Sequence, residues 1–144
     1  MEVLPLVKSL VKDPSPAVRR EAALALRYQT SPEAAALWAE LAQQHDGRDR
    51  WYLEALGIAA DTQWDAFLAA WLKAVGEGWN TPAGRDILWR SRARATPEYL
   101  VKIVSNDQTP PADQQRYLRA FDFLTGPEKD AALLQLLSVA APEK

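Results

Sequence analysis

Apolar residues recur along this chain every three to four positions, and no segment alternates them with polar residues in steps of two. In 62–75 the stripe is Trp64, Phe67, Leu68, Trp71, Leu72 and Val75. In 32–44 it is Ala34, Leu37, Trp38 and Leu41, and in 113–124 it is Tyr117, Leu118, Phe121 and Leu124. Positions i, i+3, i+4 and i+7 share one side of an α-helix, so each segment predicts an amphipathic helix and no strands are expected.

The segments are punctuated by a recurring start signal. "SPE" at 31–33, "TPE" at 96–98 and "GPE" at 126–128 each set a capping residue or Gly before Pro, then an acid in the first turn. Proline's missing N–H costs nothing at the first helical position, and the acid meets the positive end of the helix. "SP" at 15–16, "TP" at 81–82 and "DTQW" at 61–64 mark further starts. Together they predict nine helices, at about 2–12, 16–28, 32–44, 49–60, 62–75, 82–92, 97–104, 113–123 and 127–139. Taken in pairs, they repeat every 30–35 residues. A lone hairpin cannot bury its apolar stripe, whereas stacked hairpins share a continuous core. The expectation is an all-α, right-handed solenoid of about four and a half antiparallel hairpins forming one domain over 1–144. Its repeats would cover about 2–30, 31–61, 62–95 and 96–125, with a terminal helix at 126–140.

Within "DPSPAVRREAALAL" (13–26), Asp13, Pro16, Val18, Arg19, Ala22, Ala23, Ala25 and Leu26 closely resemble the signature of a HEAT-type (armadillo-like helical) repeat. The resemblance implies a ladder in which the acid and the arginine link neighbouring repeats. It is specific for the first pair and weakens in "DGRDRWYLEALG" and "TPAGRDILWRS". These stretches, with "RYLRAFDF", also resemble the helical-repeat segment of large multidomain proteins of planctomycete-type bacteria. Such proteins carry a membrane-bound-dehydrogenase-like β-propeller and a haem-binding domain and are exported or membrane-associated. The segment serves there as a connector and scaffold, and no redox activity carries over to a chain without a propeller or a Cys-x-x-Cys-His.

Charge and composition narrow the function. The chain has 144 residues, net charge −2 and no cysteine, so thiolate metal sites and disulfides are excluded within it. No apolar run approaches a membrane span, and Glu2, Pro5 and Lys8 spoil the start as a signal peptide. All eleven arginines fall in or beside second helices of the pairs, and all six lysines in first helices or the tail. Arginine's planar fork suits carboxylates, phosphates and aromatic faces, while lysine suits free solvation. Glu21, Asp49, Glu54, Asp86, Asp113 and Asp122 share the arginine layer, so an internal ladder of ion pairs is one reading. A surface receiving an acidic peptide or an adjoining domain is the other. Arg20, Arg27, Arg50, Glu54, Asp86, Arg90 and Arg119 lie opposite the apolar stripes and are the candidate partner-binding residues.

Catalytic and cofactor readings find little support in the sequence. The single histidine, His45, falls in the turn "QHDG" and is expected as a solvated loop residue. Asp61 and Asp65 are expected to compensate the dipole of a helix start rather than act as an acid/base pair. Gly76, Gly78 and Gly84 form no phosphate loop. Six tryptophans among arginines invite a nucleic-acid or base-processing alternative. Trp38, Trp64 and Trp71 lie on apolar faces and are expected in the core, leaving Trp51, Trp79 and Trp89 open. The expected function is therefore a non-catalytic scaffold or interaction module without cofactor. It would be monomeric or weakly self-associating through a C-terminal helix whose leucines cover more than one face.

Overall fold

Three Ser/Thr-Pro pairs set the frame. In the computed structural model, which describes residues 2–140, Ser15, Ser31 and Thr81 each cap a helix that begins on proline. Their hydroxyls accept from the backbone N–H groups of Val18, Ala34 and Gly84 at 3.4, 3.2 and 3.0 Å. Each cap satisfies a donor the helix cannot use internally, a contribution of about 1 kcal/mol. The helices are α1 (Val3–Leu10), α2 (Pro16–Ala25), α3 (Pro32–Ala42), α4 (Arg50–Ala60), α5 (Trp64–Val75), α6 (Pro82–Arg90), α7 (Thr96–Val104), α8 (Pro111–Ala120) and α9 (Pro127–Ala140). Two 3₁₀ turns, Gly76–Trp79 and Phe121–Phe123, follow α5 and α8. No strand occurs among the described residues, so the all-α expectation stands. The tail 141–144, with Lys144, lies outside the described residues.

The chain divides into two compact units, Met1–Ala93 and Arg94–Lys144. Within the first, α3 packs against both α1 and α5, and α4 packs against both α2 and α6. Odd and even helices therefore form two rows, joined by the contacts of α1 with α2 and of α3 with α4. The connection from α5 to α6 runs through the Gly76–Trp79 turn, which packs on both. The core between the rows is aromatic at its centre. Trp38 meets Trp64 edge-on at 5.6 Å and Phe67 at 5.6 Å, and its indole N–H donates to the Leu56 carbonyl at 3.0 Å. Trp38, Trp64 and Trp71 are buried as their stripes predict. Truncating a fully buried tryptophan such as Trp38 costs about 3–5 kcal/mol.

Within the second unit, α7 packs on α8 and on α9. Ala132 of α9 is buried and Leu133 and Leu136 are half-buried, while Leu134, Leu137 and Val139 stand in solvent.

Three local expectations change. Thr96 is the first residue of α7 and fully buried; Ala95 occupies the cap position, and no side chain caps this helix. α5 starts at Trp64, so Asp61 terminates α4 instead of opening α5, and only Asp65 sits in the first turn. Thr62, at φ 72°, takes the left-handed conformation that reverses the chain between them. α8 begins at Pro111, two residues before the expected start, because Pro110 and Pro111 suit a cap and a first helical position.

Candidate functional site

The outer surface of the even row begins with the phase of α4. Tyr52, Leu53, Leu56, Ala59 and Ala60 fill its buried side. One residue out of phase, Trp51, Glu54, Ala55 and Ile58 form a second i, i+3, i+4, i+7 stripe. Alongside lie Arg20 and Leu24 of α2, and the six residues line an open groove of about 540 Å³. Trp51 is 69% exposed and Ile58 is also open to solvent, so a large apolar surface lies bare at the centre.

Charge around the groove is uneven. Arg90 of α6 reaches across to Glu54, Nε to Oε2 3.4 Å. Just past the end of α2, Arg27 pairs with Asp61 at 3.3 Å and lies over the Tyr28 ring, 5.0 Å from its centroid. Arg20 and the exposed Arg50, the first residue of α4, make no side-chain hydrogen bond or ion pair among the described residues. The site therefore has an apolar floor, one neutralised acid and one unspent guanidinium group, Arg20, with Arg50 at the start of α4 nearby in sequence. Of the candidate residues, Arg20, Glu54 and Arg90 come together here, Arg50 opens α4, and Arg27 lies in the turn after α2. Arg119 is exposed on α8 in the other unit and makes no ion pair among the described residues.

Asp86 goes elsewhere, and so does His45. The Asp46 carboxylate accepts from the backbone N–H groups of Arg48 and Asp49 at 2.8 and 3.1 Å, and these bonds hold it below its ordinary range. Gly47 completes the bend at φ 79°. The loop so folded turns His45 inward, against the expectation of a solvated residue. Its side chain is 1% exposed, its Nε2 lies 3.0 Å from Asp86 Oδ2, and its ring stacks on Tyr52, 6.2 Å away and 2° from parallel. The Asp86 side chain is 14% exposed. His45 Nδ1 is buried and finds no hydrogen-bond partner. This contact staples the α3–α4 loop to α6. A second cavity, of about 300 Å³, lies between α3, α5 and α6, and His45 forms part of its lining.

Tyr52 links this staple to α2. Its hydroxyl donates to the Leu41 carbonyl at 2.6 Å, and Arg19 lies over its ring, 5.7 Å from the centroid. Burial pushes the phenol above its ordinary value, partly offset by the Arg19 hydrogen bond and charge. Arg19 also donates to the Asp13 backbone carbonyl at 2.7 Å, while the Asp13 carboxylate accepts from Ser15 N at 2.8 Å. The acid thus serves its own turn, and the arginine makes the link to the next hairpin through an aromatic ring. Arg92 closes the end of α6 by donating to the carbonyls of Trp89, Arg90 and Ser91. Burial and then the neighbouring Arg90 charge lower its pKa.

The apolar members of the groove, Leu24, Trp51, Ala55 and Ile58, are absent from the candidate residues read from charge. The signal was the second stripe on α4, legible once its phase against Tyr52 is known. Among the described residues no helix is long and apolar enough to cross a membrane. No family model matches the chain, nor does any curated protein or solved structure.

Proposed function

We propose that the chain is a non-catalytic scaffold that binds a protein segment in the groove between α2 and α4. Trp51 carries this reading: a tryptophan left bare on an apolar floor, beside an arginine with no partner. Tryptophan and arginine are the side chains that most often dominate protein interfaces, and isolated patches of this kind mark interaction sites. Unpaired Arg20 and Arg50 favour a segment that brings carboxylates next to apolar side chains. The two rows of the first unit support the further proposal that the chain is a HEAT-like solenoid, which we take as right-handed with about four and a half hairpins. In that arrangement the even row would be the inner wall, and the module would connect domains of a larger bacterial protein.

The test is fluorescence anisotropy with a labelled synthetic helix bearing leucines and glutamates on one side. Binding is expected, weakened about tenfold by the Arg20→Glu, Arg50→Glu pair and left unchanged by Arg119→Glu. A labelled single-stranded oligonucleotide serves as the counter-probe, because a bare tryptophan in a groove lined by an arginine could also stack a base. Salt-dependent oligonucleotide binding without peptide binding overturns the scaffold reading in favour of a nucleic-acid-binding one.

A further inference from the structure

We infer that the groove takes helix α9 of a second copy of this chain, so that copies associate head to tail. The inference rests on the groove being a protein-binding site and narrows its occupant. On α9, Asp130, Leu134 and Leu137 fall at i, i+4 and i+7, within about 60° of one another around the helix. All three are exposed, the two leucines at 66% each. The side of the helix through Ala132, Leu133 and Leu136, centred about 120° away, is the more buried one. The Asp130 carboxylate makes no ion pair among the described residues. An apolar stripe headed by a free acid is therefore presented by α9, and an apolar stripe flanked by a free arginine by α2 and α4.

The two match in length as well as in chemistry. From Asp130 to Leu137 and from Trp51 to Ile58 are seven residues each, about 10 Å of helix. Laid along the groove, Leu134 and Leu137 cover Trp51, Leu24 and Ile58 while Asp130 meets Arg20. Glu54 would repel that acid, but Arg90 already holds it. This is the helix-in-groove mode of recognition, with two or three apolar anchors and an ionic flank. Because the two surfaces differ, the contact is heterologous: copies that exchange α9 reciprocally close a dimer or ring, and otherwise each docked copy still offers a free groove or a free α9.

Sedimentation of the full chain tests it. From about 10 μM to about 1 mM, the mass is expected to climb above the 16.1 kDa of one chain. Trp51→Asp and Leu134→Asp, both at exposed positions, should each hold the protein at one chain with unchanged helicity. Mixed in equal amounts they should form a pair and nothing larger, since each supplies the surface the other lacks. A strict monomer throughout, single variants that still associate, or a mixture that stays monomeric overturns the inference. If the chain is monomeric yet binds the synthetic acidic helix through Trp51 and Arg20, the groove's function survives and only its occupant is wrong. If neither occurs, both readings fall.

Discussion

Removing the carboxylate of Asp86 should destabilise the protein far more than removing an ordinary surface acid. His45 is 1% exposed at its side chain and has one side-chain hydrogen bond, the 3.0 Å contact from Nε2 to Asp86. Its Nδ1 already lacks a partner. Asp86→Ala leaves both ring nitrogens of a buried side chain without a protein partner. Losing a hydrogen bond to a charged partner costs about 1.5–3 kcal/mol, and each kcal/mol lowers Tm by about 4 °C at this size. Urea and thermal melts followed by far-UV circular dichroism read the loss. Asp86→Asn keeps an acceptor and should recover about half of it. The decisive measurement is a double-mutant cycle with His45→Phe and Asp86→Leu, where apolar replacements leave no orphaned polar group. The pair should be less destabilised than the two single changes added together, by about 1–2 kcal/mol. An Asp86→Ala protein within about 0.5 kcal/mol of wild type refutes the reasoning and returns His45 to a solvated loop.

Three further outcomes follow from close packing and burial. Gly84→Ala should destabilise by about 1–2 kcal/mol in a urea melt, although alanine is the better helix former by about 1 kcal/mol, because its Cβ would run into the Trp79 carbonyl. Gly57→Ala meets only the Arg90 guanidinium, 2.5 Å away at its nearest carbon. That group can swing clear, so stability should change by under about 1 kcal/mol, while the freed Glu54 weakens peptide binding in the anisotropy assay. Tyr52 predicts the alkaline limb of stability: its folded pKa is raised by burial, so the unfolded chain loses the proton first. Stability should hold below about pH 10 and fall as pH rises through the folded value, and in Tyr52→Phe that slope should flatten.

The helices and most of their starts were legible because the signals are local. Ser15, Ser31 and Thr81 cap through atoms three residues away, and the buried tryptophans follow a stripe that any helix imposes. What escaped depends on distant partners. "QHDG" does form a loop, but whether its histidine is wet is decided by an aspartate 41 residues later. Asp61 reads as a helix start until Arg27, 34 residues earlier, is seen to hold it at the end of α4. On α4, Trp51 and Tyr52 begin two competing apolar stripes a single residue apart, and only the packing of α2 and α6 against α4 decides which is buried. Charge pattern alone located Arg20, Glu54 and Arg90 at the groove but could not supply its apolar floor.

The two readings of the arginine layer, internal ladder and receiving surface, are parts of one arrangement. Arg27, just past α2, reaches Asp61 at the end of α4, and Arg90 of α6 reaches Glu54 of α4. Pairs this exposed contribute little stability, about 0–1 kcal/mol each. Their larger effect is on the field at the groove. Without Arg90, Glu54 would place a bare carboxylate among the lining residues and oppose Arg20, leaving a surface with no preferred charge for its ligand. With Glu54 neutralised, the remaining charged group lining the groove is Arg20, and Arg50 precedes Trp51 at the start of α4. The ladder thus fixes the polarity of the apolar site, and it does so with the residue type whose planar fork can hold a carboxylate in place while its stem covers apolar surface.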